Sequence, residues 1–235
     1  MIWKGLVVLL LAGIGLCFLY PDISKLKKDN PAKTSFMKHR EQEWLARGKS
    51  TKVKQVWVPI NRISPYLVKA VIIAEDDKFY KHEGFDYEAI QKAIERDIKQ
   101  KKFKFGGSTI SQQLAKNLYL SSSKNPLRKA MEAFLTWRLE MNLSKKRILE
   151  LYLNVAEWGE GIFGIEAASL HYYGKPAAEL TPEESARLAS VLPNPRRFSP
   201  VGASKYVEKR SRTILNIMIR RGVISDEYDI REQPQ

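Results

Sequence analysis

The most uneven feature of the hydrophobic pattern is a long apolar run near the amino terminus. Residues 5–20 contain no charged side chain, and only Lys4 precedes them within the first twenty positions. As a helix, residues 1–20 would be about 30 Å long, which matches the hydrocarbon thickness of a bilayer. The run therefore predicts a single transmembrane anchor over residues 1–20. A cleaved signal peptide is the alternative, but no small-x-small cleavage site follows the run.

After the apolar run, the pattern predicts a polar linker over residues 21–50 and then a series of helices. Proline follows a capping residue at three helix-start signals, which are Ser64-Pro65, Asn125-Pro126 and Thr181-Pro182. Glu184 completes a capping box with Thr181. Further helices are predicted after Ser144 and from about Ser204 to Arg221. The strand signal is weak, with its best candidate at residues 55–60, so the pattern predicts a mainly α domain over residues 51–235.

The composition indicates a folded, basic protein. Hydrophobic residues make up 44% of the 235 positions and aromatic residues 10%, which excludes wholesale disorder. Lys and Arg number 40 against 26 Asp and Glu, so the net charge is +14 and the expected partners are anionic, either nucleic acid or acidic lipid. The single cysteine, Cys17, excludes a disulfide within the chain, and too few Cys and His remain for a structural zinc site.

The densest basic stretch runs from Lys92 to Lys104. Ile90, Ile94 and Ile98 are spaced four residues apart, so a helix here would have an apolar stripe beside a cationic face. This arrangement suits a helix lying in a membrane interface. An ordinary surface helix with a solvated charged side is the alternative.

The first segment with candidate chemistry follows an apolar helical run that ends at Ala74. Glu75 comes directly after this run, where burial would raise the pKa of its carboxyl and make it a useful general base. The alternative is a solvated acidic turn in which His82 has only a structural role.

The second segment opens with a glycine pair at positions 106–107, which allows the backbone to approach a ligand closely. Ser108 or Thr109 can cap the following helix, whose free N–H groups favour an anion. Gln112 and Lys116 are four residues apart, so they share a face that can present an amide and a charge to a polar substrate. A glycine turn that only caps a helix is the alternative.

The third segment brings two cations and a carboxylate onto one helix face. Arg128 and Glu132 are four residues apart, and Lys129 and Glu132 are three apart. A surface salt-bridge ladder explains this spacing as well as a binding site does.

Five ordered blocks of sequence carry a family resemblance. They are Glu75-Asp76-x-x-Phe79-x-x-His82-x-Gly84-x-Asp86, Gly106-Gly107-Ser108-Thr109-Ile110-Ser111-Gln112-Gln113, Arg128-Lys129-x-x-Glu132, Lys146-x-Ile148-Leu149-Glu150-x-Tyr152-Leu153-Asn154 and Arg187-x-Ala189-x-Val191-x-Pro193. Together they resemble the family 51 glycosyltransferases, the peptidoglycan polymerases that use lipid II. The residues after Asn154 resemble the monofunctional branch. The chain ends at Gln235 without a Ser-Asp-Asn or Lys-Thr-Gly triplet, so no penicillin-type transpeptidase is expected.

The resemblance implies a mainly α, lysozyme-like glycosyltransferase domain with a small membrane-associated jaw at about residues 87–105. It also implies that this domain lies on the external face of the cytoplasmic membrane and that the amino terminus is cytoplasmic. Lys25, Lys27 and Lys28 alone would favour the opposite orientation. The implied partners are lipid II, the growing glycan strand, membrane lipids, and cell-wall synthesis and division proteins, with no nucleic acid.

The implied reaction is an inverting displacement that forms a β-1,4 link and releases undecaprenyl pyrophosphate. Glu75 matches the family's base, and Glu132 matches its second essential carboxylate. Lys116, Arg128 and Lys129 match residues that bind the phosphates. Substrate-binding or site-shaping roles are implied for Asp76, Phe79, His82, Ser108, Thr109, Gln112, Gln113, Asn117 and Asn154. Mg²⁺ or Mn²⁺ is a candidate aid at the pyrophosphate, although no ligand cluster in the sequence requires it.

Two other functions fit parts of the pattern. A lysozyme-like peptidoglycan hydrolase would use Glu75 with water to cut glycan, but it has no use for the anchor or for the predicted phosphate-binding cations. A non-catalytic, membrane-tethered module that binds anionic polymer would explain the positive charge. It would leave Glu75 and Glu132 without a role.

Overall fold

The computed structural model describes residues 22–49, 52–100, 107–120 and 126–224. The predicted anchor at residues 1–20 and positions 101–105 of the predicted jaw lie outside the described residues. The α-helices in the described ranges are α1 (Ser35–Ala46), α2 (Pro65–Glu75), α3 (Tyr87–Gln100), α4 (Ile110–Tyr119), α5 (Pro126–Asn142), α6 (Lys145–Val155), α7 (Ile165–Tyr173), α8 (Pro182–Val191) and α9 (Lys205–Arg220). The strands are β1 (Lys54–Gln55), β2 (Glu157–Gly159) and β3 (Ile162–Phe163), and short 3₁₀ turns lie at Ile23–Lys27, Ile60–Arg62, Phe79–Lys81 and Ala177–Glu179. The predicted mainly α architecture is confirmed, and none of these described helices is both long and apolar enough to cross a bilayer.

Capping side chains start several helices where the sequence predicts them. Thr181 Oγ1 accepts from the backbone N–H of Glu184 at 3.3 Å, and the Glu184 carboxylate accepts from the N–H of Thr181 at 2.8 Å. This confirms the predicted capping box, and Ser144 caps α6 in a similar way. Ser64 is the N-cap residue of α2, as predicted, but its hydroxyl donates to the carbonyl of Leu180 at 2.8 Å and makes no capping hydrogen bond to the helix. That bond joins the start of α2 to the segment before α8.

The core forms around two helices that also carry candidate chemistry. α4 packs against α5 and α6, while α2 packs against α8 and α9. Ile110 and Leu114 of α4 and Leu67 and Val71 of α2 are fully buried. This burial fixes the carboxyl end of α2 and the amino end of α4 in the positions from which their polar residues act.

The small sheet has the strand order β1-β3-β2, with β1 parallel and β2 antiparallel to β3. Where the sequence predicts a strand over residues 55–60, the structure has the two-residue strand β1 at residues 54–55. Beyond it, the Val58 N–H donates to Asn154 Oδ1 at 2.8 Å, and the Val58 carbonyl accepts from Asn154 Nδ2 at 2.9 Å. The Asn154 side chain thus makes the two hydrogen bonds to Val58 that a neighbouring strand would otherwise make, and the pairing of β1 with β3 does not continue to Val58.

The described part of residues 21–50, for which the sequence predicts a polar linker, contains a helix and buried apolar residues. Ile23 and Trp44 are almost fully buried in the core, and Trp44 belongs to α1. Arg40 of α1 donates from Nε and Nη2 to Glu157 at 3.0 and 2.9 Å. The apolar residues of this range are few and separated by many charged ones, so they form no clear amphipathic stripe in the sequence.

Candidate active site

Glu75 is the last residue of α2, and one of its carboxylate oxygens is held firmly. Gln113 on α4 donates from Nε2 to Glu75 Oε2 at 2.9 Å. The Tyr152 hydroxyl on α6 donates to Gln113 Oε1 at 3.0 Å, which fixes the orientation of the amide. Glu75 Oε1 has no hydrogen-bond partner among the described residues, and Arg210 Nη2 lies 3.6 Å from it. One oxygen is anchored, and the other, although buried, has its hydrogen-bonding capacity unused.

Burial has the largest influence on the proton affinity of Glu75. Its side chain is 10% exposed, and this desolvation raises the pKa of the carboxyl above its ordinary value. The hydrogen bond from Gln113 and the positive charges of Arg210 and Lys116 oppose the rise. A carboxylate with a raised pKa is a stronger base, and nearby cations favour its ionised form. The environment of Glu75 therefore suits removal of a proton.

Asp76 joins the first candidate segment to the second. Its Oδ2 accepts from the backbone N–H of Ile110 at 3.0 Å, at the start of α4. Its Oδ1 lies 2.9 Å from Nε2 of His82, and Nδ1 of His82 accepts from the backbone N–H of Gly84 at 3.1 Å. Because Nδ1 accepts a hydrogen bond, the neutral ring carries its hydrogen on Nε2, and this N–H donates a hydrogen bond to Asp76. This arrangement holds the loop after Glu75 against the first turn of α4.

Thr109 and Gln112 form a capping box at the start of α4. Thr109 Oγ1 accepts from the N–H of Gln112 at 3.2 Å, and Gln112 Oε1 accepts from the N–H of Thr109 at 3.0 Å. The Thr109 hydroxyl also donates to the carbonyl of Gly84 at 2.7 Å. Gly84 has a φ of +89°, and a Cβ there would lie 2.9 Å from Thr136 Cγ2, so this turn requires glycine. Both polar side chains of the box serve the structure of the site.

A cationic cluster lies near Glu75 on α4 and α5. Glu132 on α5 is only 3% exposed, and it accepts from Arg128 Nη1 at 3.1 Å and from Lys129 Nζ. Burial is the largest influence on the Lys116 ammonium of α4 and lowers its pKa. The negative charges of Glu132 and Glu75 act in the opposite direction. Lys116 therefore lies within electrostatic reach of both carboxylates and links the three candidate segments.

An open cleft of about 260 Å³ lies beside Glu75 and Asp76. Ser108 is exposed in this cleft, next to the start of α4. Lys78 and Lys92 also line it, together with several carboxylates. A concave site lined by charges of both signs suits a polar ligand.

Three predicted substrate contacts have side chains in buried positions. Phe79 is fully buried, with the Lys145 ammonium 4.7 Å from its ring centre. Asn154 is also fully buried, and its amide bonds to the backbone of Val58. Asn117 is buried on α4. The structure gives Phe79 and Asn154 packing and backbone-pairing roles and does not place them in the cleft.

Comparison with known proteins identifies the family of this chain. The family model described as Transglycosylase matches residues 41–219. The chain belongs to the transglycosylase family. It is 45% identical over 216 residues to the biosynthetic peptidoglycan transglycosylase of Janthinobacterium sp. (strain Marseille). The aligned region covers 92% of this chain and 94% of the relative. It is 54% identical over 169 residues to the protein of the same name from Aromatoleum aromaticum, covering 72% of this chain and 74% of the relative.

Sequence reasoning assigns neither Tyr152 nor Arg210 to the site of this transglycosylase, yet both lie in it. Burial raises the pKa of Tyr152 well above its ordinary value, so the hydroxyl stays protonated and donates to Gln113. Arg210 on α9 donates from Nη2 to the carbonyl of Ala74 at 3.0 Å, one residue before Glu75. Tyr152 belongs to the fourth block of the resemblance, which is a usable signal. Arg210 is one of several cations on α9, and nothing in its spacing distinguishes it.

The donor groups of this transglycosylase do not form a site for a divalent ion within the described ranges. Mg²⁺ or Mn²⁺ prefers several oxygen ligands. No group of three or more His, Cys, Asp or Glu side chains comes together in the described part of the chain. Glu132, a carboxylate in the cationic cluster, accepts hydrogen bonds from Arg128 and Lys129 on its two oxygens, so neither oxygen is free to bind a metal ion. No step proposed below depends on a metal ion.

Proposed function

We propose that this transglycosylase polymerises lipid II into β-1,4-linked glycan strands and releases undecaprenyl pyrophosphate. The observation that carries the proposal is the buried carboxylate of Glu75 within electrostatic reach of Lys116, which in turn adjoins the cations on α5. Polymerisation needs a base for the attacking hydroxyl and positive charge for the departing pyrophosphate. In this proposal Glu75 supplies the base, and Lys116 with the α5 cations supplies the positive charge.

Glu75 is the proposed general base. Its Oε1 would take the proton from the 4-hydroxyl of the N-acetylglucosamine of the acceptor lipid II. The hydroxyl oxygen then bonds to the anomeric carbon of the donor, and the bond from that carbon to the phosphate oxygen breaks with its electron pair on the pyrophosphate. Attack from the opposite face inverts the α-linked donor to a β-linked product. Gln113 holds the second oxygen of Glu75 so that Oε1 keeps its direction during the transfer.

Lys116, Arg128 and Lys129 are the proposed ligands of the leaving pyrophosphate. Ammonium and guanidinium groups form strong hydrogen bonds to phosphate oxygens, and their charge offsets the charge that develops as the bond breaks. Glu132 pairs with Arg128 and Lys129 and keeps both on one face of α5. In this proposal Glu132 positions cations and transfers no proton.

The proposal extends to the location and finer architecture of the protein. Enzymes of peptidoglycan synthesis act at the cell envelope, and a lipid-linked substrate requires a catalytic domain at the membrane. We place the domain on the external face, attached through a single-pass anchor at residues 1–20 with a cytoplasmic amino terminus. A lysozyme-like fold with a jaw at about residues 87–105 belongs to the same proposal. The uncharged run at residues 5–20 supports the anchor. The exposure of Tyr87, which is 77% at the start of α3, supports the jaw.

Incubation of the purified full chain with labelled lipid II in detergent tests this function. Long glycan strands are expected from the natural chain, and none from a Glu75→Gln variant with an unchanged circular dichroism spectrum. Glu179→Gln is the matched control, because it removes an exposed carboxylate and should leave the product unchanged. Shortening of preformed glycan would instead indicate a hydrolase, and binding without turnover a non-catalytic module. Near-normal turnover by Glu75→Gln would remove Glu75 from the role of base.

A further inference from the structure

The outward face of α5 is unusually apolar. The residues that share it are Leu127, Ala130, Phe134, Trp137 and Met141, which we call the α5 stripe. Their spacing of three, four, three and four residues places them on one side of the helix. Leu127, Trp137 and Met141 are 68%, 53% and 70% exposed. A helix face that meets water normally carries polar residues, so an extended apolar face indicates a surface that is covered by something else.

The other side of α5 is already occupied by the core and the active site. Leu135 and Leu139 are fully buried, and Glu132 is nearly so. Helical geometry places Glu132 on the opposite side of α5 from the stripe, because residues 132 and 141 are two and a half turns apart. A helix with its side chains is about 10–12 Å across. Whatever covers the stripe therefore lies about one helix diameter from the proposed pyrophosphate ligands.

The start of the described chain lies next to α5. The turn at Ile23–Lys27 packs against this helix. The first described residue, Asp22, comes two positions after Tyr20, where the apolar run ends. The proposed anchor therefore ends in the sequence two positions before a described segment that packs on α5.

The charges around this region select for an anionic partner. Lys25, Lys27 and Lys28 are exposed on and after the turn that packs on α5. The Arg138 guanidinium lies 5.8 Å from the centre of the Phe134 ring, so a further cation lies beside the stripe. Apolar and aromatic side chains flanked by lysine and arginine are typical of surfaces that rest in the interface of an anionic bilayer. A second copy of this chain would bring like charges together at the edge of the contact.

We infer that the α5 stripe is a membrane contact that rests on an anionic bilayer surface, separate from the proposed jaw. Trp137 and Met141 lie in the interfacial region, and the three lysines face lipid phosphates. The inference depends on the membrane anchor included in the proposed function. Its consequence is that α5 itself sets the height of the cationic cluster above the bilayer. The pyrophosphate of a lipid-linked substrate lies at about that height, since it sits directly at the end of the lipid.

Site-specific labelling in vesicles tests the contact. Cys17 is replaced by Ser, and one new cysteine is introduced as Trp137→Cys or Met141→Cys and labelled with the polarity-sensitive dye NBD. Leu170→Cys on α7 is the matched control, since Leu170 is an apolar residue that is 45% exposed. Each full chain is reconstituted in phosphatidylglycerol and phosphatidylcholine vesicles with and without a lipid that carries a doxyl quencher near its headgroup.

The inference predicts blue-shifted emission at positions 137 and 141, and quenching there several-fold stronger than at position 170. Water-like emission without quenching at 137 and 141 would overturn it. Blue-shifted emission without lipid quenching would also overturn it, because protein would then cover the stripe, either a second copy or residues 1–20. Equal quenching at position 170 would show that the contact is not specific to α5.

A second measurement separates this inference from the proposed function. Met141→Glu should lower glycan synthesis several-fold in vesicles and leave it unchanged in detergent micelles, and Met141→Leu should behave as the natural chain in both. Equal rates for Met141→Glu and Met141→Leu in vesicles would overturn the membrane contact alone. Absence of glycan synthesis by the natural chain in both media, with normal quenching at the stripe, would overturn the proposed function alone.

Discussion

Removing the positive charge of Arg210 should move the pH dependence of glycan synthesis. Arg210 Nη2 lies 3.6 Å from Glu75 Oε1. At that distance two unit charges interact by about 4.6 kcal/mol at an effective dielectric constant near 20, and by about 1.2 kcal/mol in water. The Arg210 side chain is 33% exposed, so solvent screening places the interaction toward the lower value. One pKa unit corresponds to about 1.4 kcal/mol, so Arg210→Met should raise the pKa of Glu75 by about one unit.

The direction of the effect follows from the role of the base. Only the ionised form of Glu75 accepts a proton, and the Arg210 charge favours that form. Without it, the carboxyl remains protonated to higher pH. The acidic limb of the profile of kcat/KM should therefore shift upward by about one pH unit, while the rate at higher pH changes much less.

Initial rates of glycan synthesis from labelled lipid II, measured in detergent across the acidic and neutral range, give this profile. Arg210→Lys keeps a charge and should shift the limb less than Arg210→Met. Arg212→Met is the matched control, because Arg212 lies exposed on the same helix. The bond from Arg210 to the Ala74 carbonyl is also lost, so thermal unfolding is recorded for each variant. If the acidic limb of the kcat/KM profile stays at the same pH or moves to lower pH in a folded Arg210→Met protein, the reasoning is refuted.

Three further outcomes follow from the geometry of the site. Glu75→Gln should raise stability at neutral pH, by about 1.4 kcal/mol for each unit by which the folded pKa exceeds the unfolded one. That gain should fade as the pH drops toward the ordinary value of 4.5, and calorimetry that shows no pH-dependent gain would contradict the raised pKa. Asp76→Ala should cost about 1.5–3 kcal/mol in urea unfolding, because charge-assisted bonds to His82 and Ile110 are lost. Asp77→Ala, which removes an exposed pair with Arg221, should cost less than about 1 kcal/mol, and equal losses would argue that Asp76 does not hold the loop after Glu75 against α4. Tyr152→Phe should lower kcat about 2- to 12-fold, the equivalent of one hydrogen bond, with little change in KM. An unchanged kcat would mean that Gln113 needs no support from Tyr152.

Local signals in the sequence predict the parts of the fold that depend on neighbouring residues. The capping box at Thr181 and Glu184 forms as its spacing predicts, since its partners are three positions apart. Arg128 and Glu132 pair across one helix turn for the same reason. Such contacts are nearly independent of the rest of the structure, so helix starts and same-face clusters can be found without it.

Contacts between distant segments are less accessible to sequence reasoning. Tyr152 reaches Gln113 only because α4 and α6 pack side by side, and Arg210 reaches Glu75 only because α9 packs near the end of α2. Asn154 is another such contact, because its place in a family block predicts a role in substrate binding while its amide pairs with the backbone of Val58, a partner that sequence reasoning does not find. A polar residue in a recognised block can serve the fold as well as the substrate, and burial decides between the two.

The folded state of residues 23–46 limits how far the enzyme reaches. A flexible linker between the proposed anchor and the domain would let the active site sample a wide volume above the bilayer. Instead, Ile23 and Trp44 pack into the core, so the domain begins almost where the apolar run ends. With the proposed anchor in a bilayer, the active site would be confined to a narrow layer, and it would extend only those glycan ends that stay at the membrane surface.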